Sequence, residues 1–363
     1  MSGLNLVVIG LTLSSSWGNG HATTWRALLR ALAHRGARIV FLERDVPWYR
    51  AHRDLPHPDF ARLELYQDVS DLRTRFAQAV READAVLVGS YVPDGVAVID
   101  WARDQVRGIL AFYDIDTPVT LAGLAKGEVP YLATRQIPAF DVYLSFTGGP
   151  ILDHLRARYG ARQARALYCT VDAEHYRPLP GRRRLWRLGY LGTYSDDRQA
   201  MLERLLFTTA RRMPEGQFVV AGPQYPAAVA WPANVERIEH CPPADHPGFY
   251  AGQDFTLNIT RADMVAAGWS PSVRLFEAAA CGTPIISDRW PGLTELFPAG
   301  DAILIADTAE DVLDCLAIPD ARRRSIADAA RDIVLTRHRA EVRAEELEQA
   351  LREAGRHARD SAA

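Results

Sequence analysis

The sequence predicts an α/β protein made of two Rossmann-like, parallel-sheet domains in series, and three observations carry that prediction. Short β-branched runs alternate with helical segments along almost the whole chain. The alternation breaks once, at DAEHYRPLPGRRRLWR (172–187), rich in Pro, Gly and Arg, and then restarts. At 363 residues the chain is also longer than one hydrophobic core usually organises.

The first half opens with the strand LNLVVIGL (4–11). It is followed by HATTWRALLRALAHRG (21–36), where Trp25, Leu28, Leu29 and Leu32 recur at helical spacing and Gly36 supplies the stop. Next come the strand ARIVFLE (37–43), the helix DLRTRFAQAVREA (71–83) and the strand DAVLVGS (84–90). A helix over GVAVIDWARDQ (95–105) and the strands RGILAFYDID (107–116), DVYLSF (141–146) and RALYCTV (165–171) complete this half. After the break the strand LGYLGT (188–193) leads into the helix RQAMLERLLFTTARRM (198–213). The strands QFVVAG (217–222) and VERIEH (235–240), the helix HPGFYAGQ (246–253) and the strand FTLNIT (255–260) follow. A helix within 270–282 and the strand TPIISD (283–288) close the pattern. The expected domains are therefore 1–178 and 179–335. Residues 336–363 form a charged amphipathic helix that caps or bridges the two. Two such domains in series are expected to face each other across a cleft at the carboxyl ends of their strands, the usual ligand position in open α/β sheets.

Composition narrows the function. A hydrophobic content of 48%, with 24% charged residues, is that of an ordinary globular protein. The net charge of −3 argues against a nucleic-acid partner, and the run Arg182, Arg183, Arg184 reads as a solvated linker. Cys169, Cys241, Cys281 and Cys315 have no paired spacing, so neither a disulfide framework nor a zinc site is expected, and a reducing, cytoplasmic location is. The N-terminal apolar run lacks a basic lead-in and reads as a strand, and no stretch reaches transmembrane length.

The segment SPSVRLFEAAACGTPIISD (270–288) places two long charged side chains, Arg274 and Glu277, inside an otherwise apolar helix. Ser270 or Ser272 suits the N-cap and Pro271 the first turn. The exposed amides and positive end of such a helix favour an anion, Arg274 can clamp a phosphate, and Glu277 can accept from a ribose diol. That combination describes a nucleotide site. The other reading of the same spacing is a surface ion pair between Arg274 and Glu277.

The segment resembles the donor-binding motif of GT-B glycosyltransferases related to family 4 and of their spore-maturation (CgeB-like) relatives. LYCTVDAEHYRP (167–178) is similar to their interdomain linker. LGYLGTYSDDR (188–198) and FVVAGP (218–223) are similar to the first two strand–loop units of their nucleotide domain, and LNITRADM (257–264) to the strand and loop before the donor helix. The resemblance implies the GT-B fold and a nucleoside-diphosphate sugar donor, UDP-, dTDP- or GDP-linked, bound without a metal ion or other cofactor. It implies that Glu277 meets the ribose hydroxyls and that Gly192 and Thr193 approach the diphosphate, with Gly222 in the neighbouring loop. Ser272, Val273 and Arg274 would lie at the phosphates, and Arg261 would be a second diphosphate contact. Family-4 enzymes carry a further Glu before this helix, facing the transferred sugar. Here Trp269 stands in its place, which leaves the sugar and the stereochemical course open.

In the first half, SSSWGNGHATTW (14–25) is a loop in which Gly18 and Gly20 permit close backbone approach, with His21 at the start of the helix. His21 is a candidate general base, or a loop cap. FYDIDTP (112–118) ends an apolar strand with Asp114 and Asp116, candidates for a base or sugar contact, an N-cap, or a metal pair. Of Trp17, Trp25, Trp48, Tyr49, Tyr91 and Tyr113, most are expected in the core and some against an acceptor.

The reading is a metal-independent glycosyltransferase acting on an acceptor that is a small molecule, a glycan or lipid-linked. A nucleotide-sugar 2-epimerase of the same fold and a non-catalytic nucleotide-sugar-binding or scaffold protein are the alternatives.

Overall fold

The computed structural model describes residues 3–18 and 20–360. The chain divides into two compact units, Met1–Cys169 together with Ala340–Ala363, and Thr170–Arg339.

The first unit carries seven strands: β1 (Asn5–Gly10), β2 (Arg38–Arg44), β3 (Arg62–Tyr66), β4 (Ala85–Gly89), β5 (Ile109–Asp114), β6 (Val142–Ser145) and β7 (Ala164–Ala166). They form one sheet in the order β3-β2-β1-β4-β5-β6-β7, every pairing parallel. The central strands are buried along their length, so they read as continuous apolar runs. Trp25 packs edge-on against Tyr113 and Phe41, which assigns Trp25 and Tyr113 to the core.

The second unit carries β8 (Trp186–Leu191), β9 (Phe218–Ala221), β10 (Val235–Ile238), β11 (Gln253–Asn258), β12 (Ile285–Ser287) and β13 (Leu304–Ile305). Their order is β10-β9-β8-β11-β12-β13, again all parallel. Both sheets thus have the doubly wound topology predicted from the alternation.

Two strands escape the pattern. β3 is an edge strand whose RLELY sequence buries only Tyr66 fully, and β13 has two residues. The predicted helix 198–213 is one helical stretch from Asp196 to Arg212 with a wider turn at Glu203–Phe207. There the hydroxyls of Thr208 and Thr209 donate to the carbonyls of Glu203 and Leu205.

The boundary expected at residue 178 falls at 169/170. Leu167 N still donates to Ser145 O in the first sheet, whereas Thr170 Oγ1 donates to His338 O and Val171 bridges Arg339 in the second unit. The helix Ala340–Asp360 belongs to the first unit. It buries Ala344, Leu347, Ala350, Leu351 and Ala354 against the helix His21–His34, and Arg35 pairs with Glu345 and Glu348. Residues 361–363 of the predicted terminal helix lie outside the described residues.

Candidate functional site

In the second unit the predicted residues gather at the carboxyl ends of β8, β9 and β11. The helix there runs Val273–Ala280 with Ser272 as its N-cap residue. Pro271 precedes the cap and so lies outside the first turn. Ser272 Oγ does not cap the helix; it donates to Asn258 Oδ1 at 2.8 Å. Val273 opens the helix, where the first amides have no intrahelical acceptor.

Arg274 is 6% exposed and Glu277 2%, so neither is a surface residue, and they do not pair with each other. Arg274 bends back toward the sheet. Its Nε donates to Leu191 O at 2.5 Å, its Nη1 to Asn258 Oδ1 at 2.8 Å, and its guanidinium lies 4.6 Å from the Tyr190 ring. All these partners are neutral. Among the described residues this buried cation has no ion pair, an arrangement proteins seldom keep without an anion to bind.

Gly192 follows β8 directly beneath that guanidinium. A β-carbon there would come within 2.9 Å of Arg274 Nη2 and 2.6 Å of the Tyr190 hydroxyl, so any other residue would have to displace one of these side-chain ends. Gly222, at φ +142°, abuts the Gly192 carbonyl. Two residues not anticipated from sequence hold these loops: Tyr225 donates to Gly192 O at 3.2 Å, and Arg237 donates to Gly222 O and Ile238 O while lying over the Tyr225 ring. Thr193 contributes its carbonyl to Arg198 Nη2 at 2.7 Å. Arg261 lies 3.7 Å from Asp197, whose carboxylate also accepts from Ala262 N. Arg261, expected as a second diphosphate contact, is thus loosely paired with Asp197.

Glu277 sits in a polar pocket of its own. Tyr250 donates to Oε2 at 3.0 Å, and His246 Nδ1 is 3.5 Å from the same oxygen. Oε1 is buried and has no hydrogen-bond partner among the described residues. Burial pushes this carboxyl up, but His246 and the hydroxyls of Tyr176 and Tyr250 outweigh it and hold it below the ordinary value. His246 also contacts Cys241 O at 3.1 Å, tying the Pro-rich stretch HCPPADHP (240–247) to the same cluster. Trp269, at the position of the family's additional Glu, has φ +44° and donates from its indole nitrogen to Glu295.

In the first unit, His21 begins its helix and Asp116 follows β5, and the fold brings them together. His21 Nε2 is 3.5 Å from Asp116 Oδ2, and Tyr91 donates to that oxygen at 3.0 Å. Asp114 is placed differently. It is fully buried, with Tyr143 donating to Oδ2 at 2.5 Å and Thr120 to Oδ1 at 2.8 Å, an arrangement that braces the end of β5 and leaves no open face for an acceptor. Burial raises its pKa to about 6. A carboxyl whose folded-state pKa exceeds its unfolded value destabilises the fold once it ionises. Stability is therefore expected to fall by up to ~3 kcal/mol between about pH 4 and pH 6 through this group. Asp114→Asn should flatten that slope in urea titrations across the window, and an unchanged slope would show that Asp114 is ionised at no cost.

Trp17 stacks on His52 at 4.7 Å, and Trp48 is 54% exposed. Among the described residues no three His, Cys, Asp or Glu side chains are grouped to hold a metal ion. No helix among them is long and apolar enough to cross a membrane.

Two parallel-sheet Rossmann-like units followed by a C-terminal helix are the architecture of GT-B glycosyltransferases. Residues 198–349 match the family model described as "Glycosyl transferase-like". Among solved structures, sucrose-phosphate synthase from Thermosynechococcus elongatus superposes with a TM-score of 0.72 at 16% identity, covering 96% of this chain and 98% of that one. Anabaena Alr3699/HepE, solved in complex with UDP and glucose, gives 0.71 at 13% identity and covers 96% and 100%. An alpha-glucosyltransferase solved with UDP-glucose and DNA gives 0.71 at 10%, covering 96% and 99%. At these identities the likeness is one of fold. No curated protein matches the chain by sequence.

Proposed function

We propose that this chain is a GT-B glycosyltransferase that binds a nucleoside-diphosphate sugar in its second unit and transfers the sugar to an acceptor. The observation that carries the reading is Arg274, a buried guanidinium without an ion pair among the described residues, lying over a glycine at the carboxyl end of a parallel sheet. A diphosphate supplies the missing anion, and the start of the helix Val273–Ala280 adds amide donors and a favourable dipole. Glu277 Oε1, buried and unpartnered, is the ribose acceptor three residues further along. The solved complex of Alr3699/HepE with UDP-glucose makes UDP the first nucleotide to try.

The leaving diphosphate is stabilised by Arg274 and the helix start, without a metal ion. In the first unit His21 receives the acceptor proton, with Asp116 beside it to stabilise the imidazolium and Tyr91 holding Asp116 in place. Asp114 has a supporting role. The finer likeness to family-4 and CgeB-like enzymes rests on the SPSVRLFEAAACG segment, and four cysteines that form no disulfide among the described residues favour a cytoplasmic setting.

The test is calorimetry against UDP, dTDP, GDP, ADP and their common sugar conjugates, with and without EDTA. One diphosphate should bind tightly and indifferently to chelator; binding of none would remove the reading. With that donor, His21→Asn and Asp116→Asn should each slow diphosphate release from the sugar nucleotide by ~100-fold or more while leaving donor affinity within a factor of about two. Equal losses in affinity and rate would assign both residues to folding.

A further inference from the structure

Asn258 ends β11 and is fully buried, and it has no role in the nucleotide reading. Its side-chain amide has two sides. Oδ1 accepts from Arg274 Nη1 and from Ser272 Oγ, each at 2.8 Å. Nδ2 donates to Ser287 Oγ at 2.9 Å and Thr260 Oγ1 at 3.2 Å, and lies 3.5 Å from Asp288 Oδ1. The orientation is forced, because a guanidinium has no acceptor and must meet the carbonyl side. Asp288 is itself buried, its oxygens accepting from the amide and hydroxyl of Thr260. A neutral amide therefore separates a buried carboxylate from a buried guanidinium. Direct contact would make an ion pair and cancel the charge a phosphate needs.

We propose that Asn258 is a positioning residue of the nucleotide site, holding Arg274 through a neutral amide so that it forms no direct ion pair with Asp288 and can meet the diphosphate; this rests on the nucleoside-diphosphate reading above. The same oxygen holds Ser272 at the helix start, so one side chain sets both halves of the phosphate site. A negative charge at this position would occupy Arg274 as the phosphate does.

Asn258→Asp keeps the shape and adds that charge. The measurement is the affinity of UDP and of uridine for parent and variant by calorimetry, with the other nucleoside diphosphates and their nucleosides substituted if one of those binds instead. Parent protein should prefer the diphosphate, and Asn258→Asp should weaken it by ~100-fold with nucleoside affinity unchanged. Unchanged diphosphate affinity would overturn the role of Asn258 alone. Parallel loss of diphosphate and nucleoside would show a general structural defect and overturn it equally. If the parent binds no nucleoside diphosphate, the nucleotide reading itself fails and Asn258 falls with it. Asn258→Ser is the second variant should the aspartate not fold: neutral but too short to hold Nη1, it should lose ~10-fold in diphosphate affinity only, and no loss would count against the proposal.

Discussion

Arg274→Met is expected to leave the stability of the ligand-free protein within ~1.5 kcal/mol of the parent while lowering nucleoside-diphosphate affinity by 100-fold or more. Two opposing terms produce the small stability change. Burying a guanidinium without an ion pair carries a desolvation penalty of several kcal/mol, which Met removes while keeping most of the volume against Tyr190. Against that, Leu191 O and Asn258 Oδ1 each lose a charged donor, worth roughly 1.5–3 kcal/mol apiece. A cation held for structure would behave otherwise, since breaking a buried ion pair costs roughly 3–5 kcal/mol. Urea denaturation with and without ligand separates the cases. The parent should be stabilised by its diphosphate through mass action and the variant should not. A variant that unfolds early yet still binds would make Arg274 a scaffold residue.

Glu277→Gln is expected to abolish discrimination of the ribose hydroxyls. The amide keeps one oxygen for Tyr250 but loses the second acceptor, the one that Oε1 presents without a partner. A hydrogen bond to a charged group is worth roughly 1.5–3 kcal/mol, so a diphosphate ligand should bind the variant ~10–100-fold more weakly. Its 2′,3′-dideoxy analogue should bind parent and variant alike. If the dideoxy analogue binds the parent as well as the ribonucleotide does, Glu277 serves the fold and not the ligand. The isosteric change is preferable to alanine, which would also strand Tyr250 and His246 around a cavity. The carboxylate is held below the ordinary glutamate value of 4.5, so it remains charged there and the loss of ribose recognition on acidification should begin below that pH. The same depression adds stability above the unfolded-state pKa, stability that is lost as pH falls through the folded-state value.

Alternation of apolar runs and helical periods was enough to establish two parallel sheets, because strands buried on both faces have no polar register to hide them. It missed β3, whose RLELY pattern is that of a half-exposed edge, and it set the domain boundary by composition where hydrogen bonding sets it nine residues earlier. Arg274 and Glu277 were legible as anomalies, since two charges in an apolar helix demand an explanation, but their spacing served an ion pair equally well. Only the tertiary structure separates them, by burying both and giving them different partners. Tyr225, Arg237 and Asn258 act through loops distant in the chain, and their one sequence signal was a polar residue closing an apolar strand at Asn258. His21 and Asp116 stand 95 residues apart in the numbering and meet because β1 and β5 both flank β4. Asp114 and Asp116 looked equivalent in sequence. Residue composition determined the layers and the presence of charge, both local properties. Which charge is compensated, and by what, depends on neighbours supplied by sheet order, and that only the folded chain decides.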